Sequence, residues 1–319
     1  MLCGSGRVGR VARVTNATAP TGFQVALHAG SDEAVITEVG AHLRRFAVAG
    51  RDVVVSFAED ELPPASNGAV LVPWPNRIRD GQYTFDGQDR QLPLNEPERG
   101  TALHGLVTWE RWSLDAHDDT SATLSLATVP VPGYPHPLRV AITYALDGDG
   151  GLSITLTTTN LGSTAAPYGV GFHPWLSPGP GSLDDAELQL GAESWIPTDD
   201  RLLPTGVEPL PEHFDFRQPR RLGDTELDDA FVDATREADG LSWLRLRGTD
   251  GRTAAVWMDE SMDCWQMCTG DHVAAVAARR TGLAAEPMTC IADAFRTGQN
   301  LITLQPGCSH TVRWGLRLL

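Results

Sequence analysis

The chain reads as all-β, a large antiparallel β-sandwich with few short helices. Three observations carry this. Short β-branched runs recur along the chain, separated by Gly, Pro, Asn or Asp. Several alternate apolar and polar residues, as in Leu152-Ser153-Ile154-Thr155-Leu156 and Tyr83-Thr84-Phe85. That period of two leaves one face buried and one wet, as antiparallel sheets allow. Long amphipathic helical patterns are scarce, and the best candidates are short turns at 274–280 and 291–297.

Strands are predicted, in chain order, at 23–29, 33–40, 52–57, 122–129, 138–146 and 152–160. Residues 241–248 and 252–259 form a predicted hairpin through Thr249-Asp250-Gly251, and 301–307 and 310–318 complete the set. Prolines and glycines are scattered through the turns rather than gathered in a linker, and no repeat or low-complexity block is present. One domain over 21–319 is the expectation, preceded by a flexible extension at 1–20 or by a start codon placed too early. The first residues carry arginines but no continuous apolar stretch, a poor match to a secretory signal.

The formal charge is −16 and the pI about 4.9. An acidic surface repels phosphate backbones and anionic lipid, which argues against nucleic acid and membranes as partners. No apolar run approaches the roughly 18 residues of a membrane span. Five cysteines without framework spacing fit reduced thiols and a cytoplasmic location. Cys264 and Cys268 stand three residues apart rather than two, and Cys290 and Cys308 are isolated, so buried thiols are expected in place of a zinc site. The sequence Asp147-Gly148-Asp149-Gly150-Gly151 begins like a calcium loop, but Thr158 stands where the bidentate Glu is needed, so it reads as a hairpin turn. No phosphate-binding glycine loop follows a strand, and there is no G-x-S-x-G elbow.

Four polar stretches stand out: PWPNRIRDG at 73–81, ALHG at 102–105, YGVGFHPW at 168–175 and AEPMT at 285–289. Together they offer Arg77, His104, His173 and Glu286, a set able to move protons and hold a polyol. Each has a plainer reading. Glu286 fits a solvated glutamate opening a helix. His173 fits a core histidine satisfied by backbone, and His104 and Arg77 fit loop and surface residues. Asp228, in ELDDAFVD, fits a charged turn. Trp74, Trp175 and Trp265 are candidates to offer a flat apolar face to a sugar ring.

The order and wording of the four stretches, with LQPGCSHTVRWGL at 304–316, resemble the aldose 1-epimerase (galactose mutarotase) family, in particular its bacterial branch with PWPNRI and LHG. The resemblance runs from about residue 22 to the last residue. It implies a many-stranded galactose mutarotase-like supersandwich with its site in a groove across one face, no cofactor and no metal. It implies a free monosaccharide as partner and α/β interconversion at C1 as activity. Glu286 takes the place of the catalytic base, His173 of the general acid, and His104 supports the ring oxygen or a neighbouring hydroxyl. Arg77 and Asp228 bind sugar oxygens, with Asp229 the alternative one position on; Asn76, Gln266 and Trp175 complete the binding set. Trp175 follows His-Pro where the family usually has Tyr, so an aromatic is kept and a phenol hydroxyl lost. Apolar neighbours should raise the pKa of Glu286 from roughly 4.3, while the unperturbed value of about 6.5 suits His173 to giving and recovering a proton. A non-catalytic sugar-binding sandwich, a glycosidase or lyase built on a carboxylate pair, and a hexose-phosphate or modified-sugar epimerase using Arg77 and Arg79 are the alternatives. The assembly expected is a monomer or a homodimer.

Overall fold

Two long hairpins, made by the strands with the clearest alternation, start the larger sheet. Leu138–Leu146 pairs with Gly151–Asn160 through the Asp147 turn, and Ser242–Arg247 pairs with Thr253–Met258. In the computed structural model, which describes residues 19–273 and 279–319, the strand Ser309–Leu318 lies between these hairpins and joins them. The finished sheet has nine antiparallel strands in the order Ser113–His117, Ser121–Ala127, Leu138–Leu146, Gly151–Asn160, Ser309–Leu318, Thr253–Met258, Ser242–Arg247, Glu187–Leu190, Arg220–Arg221. Leu138, Val140, Ile142 and Tyr144 point inward and are buried, with Leu152, Ile154 and Leu156 beside them. The opposite face is wet and carries hydroxyl pairs across strands, Thr157 with Thr311 at 2.9 Å and Thr159 with Ser309 at 2.7 Å.

A second sheet of eight strands packs against this core. Its path runs Glu208–Pro209, Ala192–Ile196, Asp228–Ala234, Cys264–Cys268, Leu283–Met288, Gly171–His173, Ala69–Leu71, with Trp175–Leu176 also pairing to Leu283–Met288. Its central strands are buried along their length, Leu283–Met288 at every position. A four-stranded sheet, Gln24–Ala29 to Arg51–Asp52, adds to the same hydrophobic core, which includes residues from Val25 to Leu318. The fold is the expected β-sandwich. Helix is confined to Ala294–Thr297 and three single 3₁₀ turns among the described residues. The short turn expected at 291–297 thus appears; most of the one expected at 274–280 lies outside the described residues, as do residues 1–18.

One predicted strand is corrected. Of residues 52–57 only Asp52 enters a ladder, opposite Ala47. Val53 donates to Phe46, Val55 donates to the Trp175 carbonyl, and Val54 makes an isolated bridge to Leu176. The run is β-branched because it is buried while crossing between sheets, with its hydrogen bonds divided between two elements.

Candidate active site

The eight-stranded sheet floors a cavity of about 420 Å³, within the roughly 300–1,000 Å³ usual for small-molecule clefts. Strand order brings its residues together from distant parts of the sequence. Leu283–Met288 lies between Cys264–Cys268 and Gly171–His173, so Glu286 comes beside the strand that ends in His173. Asp228 enters one strand further out. Across the cavity, Arg77–Arg79 pairs with Thr101–Leu103, which sets Arg77 opposite Leu103 and next to His104.

His173 Nε2 lies 3.3 Å from Glu286 Oε1. Both side chains are buried, and His173 Nδ1 and Glu286 Oε2 find no hydrogen-bond partner in the protein. Burial brings the His173 imidazole down to about 4. Burial, with repulsion from Asp228 and against the pull of Arg77, raises the Glu286 carboxyl well above its ordinary range. Low dielectric disfavours the charged form of both groups. The rise at Glu286 is as expected; the fall at His173 departs from the near-neutral value that its residue type suggests. Glu286 lies in a buried strand, not at an exposed helix start.

His104 is held in the left-handed region at φ 63°. Its backbone N–H donates to the Asn76 carbonyl at 3.0 Å, and the Asn76 N–H donates to His104 Nδ1 at 3.2 Å. A ring nitrogen that accepts carries no proton, so the proton of neutral His104 is on Nε2. Burial and the nearby His173 and Arg77 keep this imidazole well below its usual pKa. Its ring meets His173 edge-on at 5.4 Å between centroids. Asn76, also left-handed at φ 54°, accepts the Arg77 N–H on Oδ1 at 2.9 Å.

Arg77 is buried and forked onto Glu96, with Nε at 2.8 Å and Nη2 at 3.0 Å. Glu96 also accepts from Arg99 at 3.0 Å and from the Thr101 hydroxyl. Despite burial, the bonds from Arg77 and Thr101 hold Glu96 below its usual pKa. Sequence reasoning missed Glu96, which reads as one more charge in the turn-like PLNEPERG. Arg79 turns away from the cavity to Asp199 at 3.0 Å, whereas Arg99 lines it together with Arg77.

Asp228 and Asp229 both border the cavity. Asp228 accepts from the Gln266 amide at 2.9 Å, whereas Asp229 accepts from the Trp195 indole at 2.9 Å. Asp228 is the one that acts electrostatically on both Arg77 and Glu286. Gln266 itself does not line the cavity; its amide is committed to Asp228. Trp175 lines it and stacks beside His173 at 5.8 Å with an interplanar angle of 22°, its indole N–H donated to the Ala65 carbonyl at 3.1 Å. Trp74 and Trp265 belong to the core: Trp74 meets Phe295 edge-on, and Trp265 is fully buried on Ser242. A Cβ on Gly169 would lie 2.5 Å from Cys290 Sγ, and one on Gly171 2.8 Å from Pro75, so both serve packing. Among the described residues, no group of three or more His, Cys, Asp and Glu is placed to hold a metal ion, and no helix is long and apolar enough to cross a membrane.

Known proteins are similar to this chain in sequence and in fold. The chain is 35% identical over 291 residues to YihR of Escherichia coli K12, an uncharacterized protein, covering 91% of each. It is 35% identical over 187 residues to the galactose mutarotase of Rattus norvegicus, covering 54% of this chain and 52% of that protein, about half its length. Solved structures share the fold. An aldose epimerase homologue from C. elegans superposes with a TM-score of 0.81 at 19% identity, covering 93% of this chain and 98% of that one. The galactose 1-epimerase of Lactobacillus acidophilus does so with 0.78 at 20% identity, covering 93% and 94%. The sequence profile of the aldose 1-epimerase family matches residues 14–317, and the chain belongs to that family.

Proposed function

We propose that this protein is a cofactor-independent mutarotase that interconverts the α and β anomers of a free aldose, in the bacterial branch marked by PWPNRI and LHG. The observation that carries the reading is the 3.3 Å approach of His173 Nε2 to Glu286 Oε1 on the floor of a cavity ringed by Arg77, His104 and Asp228. The pair holds one proton between its two members. Its transfer to His173 gives the carboxylate and imidazolium from which ring opening starts. Glu286 then removes the proton from the C1 hydroxyl while His173 protonates the ring oxygen, and the bond from C1 to that oxygen breaks. Rotation about C1–C2 turns the other aldehyde face to the new hydroxyl. That hydroxyl attacks as His173 takes its proton back and Glu286 returns one to the C1 oxygen. The two must act together, because neither a free alkoxide nor a free oxonium is accessible at neutral pH; each well-placed partner contributes roughly 10²–10⁴-fold.

The remaining residues orient the sugar. His104, as an Nε2–H donor, supports the ring oxygen or its neighbour. Arg77, fixed by Glu96 and Asn76, donates to hydroxyls, and Asp228, steadied by Gln266, accepts from them. The shared core supports one domain over 21–319, and the unpaired Cys264, Cys268, Cys290 and Cys308 support a cytoplasmic location. NMR exchange between α and β anomeric signals, over a panel of free aldoses, tests the activity. Exchange accelerated by the native protein and not by Glu286→Gln is the expected result; a variant that keeps most of the acceleration would remove Glu286 from the chemistry.

A further inference from the structure

His42 lies outside the cavity and takes no part in the proton transfers, yet it connects to both site histidines. It is fully buried. Its Nδ1 is 2.9 Å from the Asn67 carbonyl and its Nε2 is 3.1 Å from the Thr108 carbonyl. The peptide unit that presents the Asn67 carbonyl also carries the Gly68 N–H, which donates to the His173 carbonyl at 2.9 Å. On the other side, the Thr108 hydroxyl lies 3.4 Å from the His104 carbonyl and equally 3.4 Å from the Val70 carbonyl. One ring therefore bridges the backbone supports of both imidazoles.

The contacts are chemically unequal to their acceptors. Carbonyls only accept, and a neutral imidazole has one N–H. With one proton the ring satisfies one carbonyl and turns a lone pair on the other. With two it satisfies both, but carries a buried charge with no carboxylate within 4.0 Å among the described residues. Burial pushes His42 below its usual pKa against the two backbone contacts, and a positive charge on it opposes one on His173. The ring packs closely against Gly40. A Cβ on Gly40, at φ 72°, would fall 2.1 Å from His42 Cδ2, and Trp109 lies 6.1 Å away on another side.

We propose that His42 is a positioning residue, which through Asn67 and Thr108 sets the placement of His173 and His104 relative to each other. Its effect on catalysis rests on the mutarotase reading; its effect on placement does not. The test replaces His42 by Gln, which keeps one N–H donor group, and by Leu, which fills space without donors. It measures kcat and KM for mutarotation together with the imidazole ¹⁵N signals of His104 and His173. Displacing acid from partner should lower kcat by about 10-fold or more in His42→Leu with KM changed far less, since a misplacement near 1 Å can cost on the order of 100-fold. His42→Gln should recover part of the loss, and the ¹⁵N signals of both histidines should move. Unchanged His104 and His173 signals in either folded variant would overturn the proposal, as would a kcat held at the native value. Should His42→Leu not fold, His42→Gln decides between the same two outcomes. A native protein that turns over no aldose would sink the mutarotase reading alone, because the ¹⁵N signals report placement without turnover.

Discussion

Replacing Glu96 by alanine probes the least visible part of the site. The carboxylate accepts two bonds from Arg77, one from Arg99 and one from Thr101, and the Arg77 and Glu96 side chains are only 10% and 7% exposed. Alanine would leave the Arg77 guanidinium buried without its counter-ion. Removing one partner of a buried pair costs about 3–5 kcal/mol, and the low end, about 3 kcal/mol, applies here because Arg77 borders an open cavity that admits water. At about 2.1 cal/mol/K of unfolding entropy per residue, a chain of 319 residues shifts by roughly 1.5 °C per kcal/mol, so the melting temperature should fall by about 4–5 °C. The freed guanidinium should also swing towards Asp228, the other carboxylate acting on it, so KM for the sugar should rise more than kcat falls. Thermal unfolding and anomer-exchange kinetics on the same sample read both effects. A variant that melts within about 2 °C of the native protein with unchanged KM would refute the view that Glu96 holds Arg77.

Three further outcomes follow from the site. Glu286 has a folded pKa raised above its ordinary value of 4.5, so its contribution to stability is full below that value and is lost as pH rises through the folded pKa. Glu286→Gln should therefore gain stability relative to the native protein as pH rises above about 4.5, read as urea midpoints. His173, depressed to about 4 from 6.5, acts in the opposite sense: the unfolded chain takes up its proton first, and stability falls as pH drops through that window. His173→Gln should flatten the acid side of the same curve. Asp228→Asn removes a negative charge that raises Glu286, so it should lower the Glu286 pKa and raise KM, checked by pH–rate profiles and by titration of sugar binding.

The two sheets differ in how far the sequence reveals them. Strands such as Leu138–Leu146 and Gly151–Asn160 carry one wet face, and their alternation shows it. The strands that bear Glu286, Asp228 and Gln266 belong to the sheet whose centre is covered on both sides. Leu283–Met288 has no polar face to alternate with, and Pro287 within it discourages a strand assignment. His173, Glu286, His104 and Arg77 were legible from the wording of their stretches, and the fold brings all four to one cavity. Glu96 was not, because a carboxylate that serves an arginine through space leaves no mark in its own segment. Nor could spacing show that Trp265 faces the core while Gln266, its neighbour, supports Asp228.

The placement of Ser309–Leu318 has a consequence for how the molecule is made. It lies in the middle of the nine-stranded sheet, with Gly151–Asn160 on one flank and Thr253–Met258 on the other. During synthesis both hairpins emerge with an unpaired edge facing where it will lie. Those edges are templates for mispairing until the strand that separates them arrives. Its pairing with Gly151–Asn160 also spans about half the chain, a contact of high sequence separation and so an intrinsically slow one. Closure of the larger sheet is therefore a late event, and chaperone demand during expression should concentrate before it.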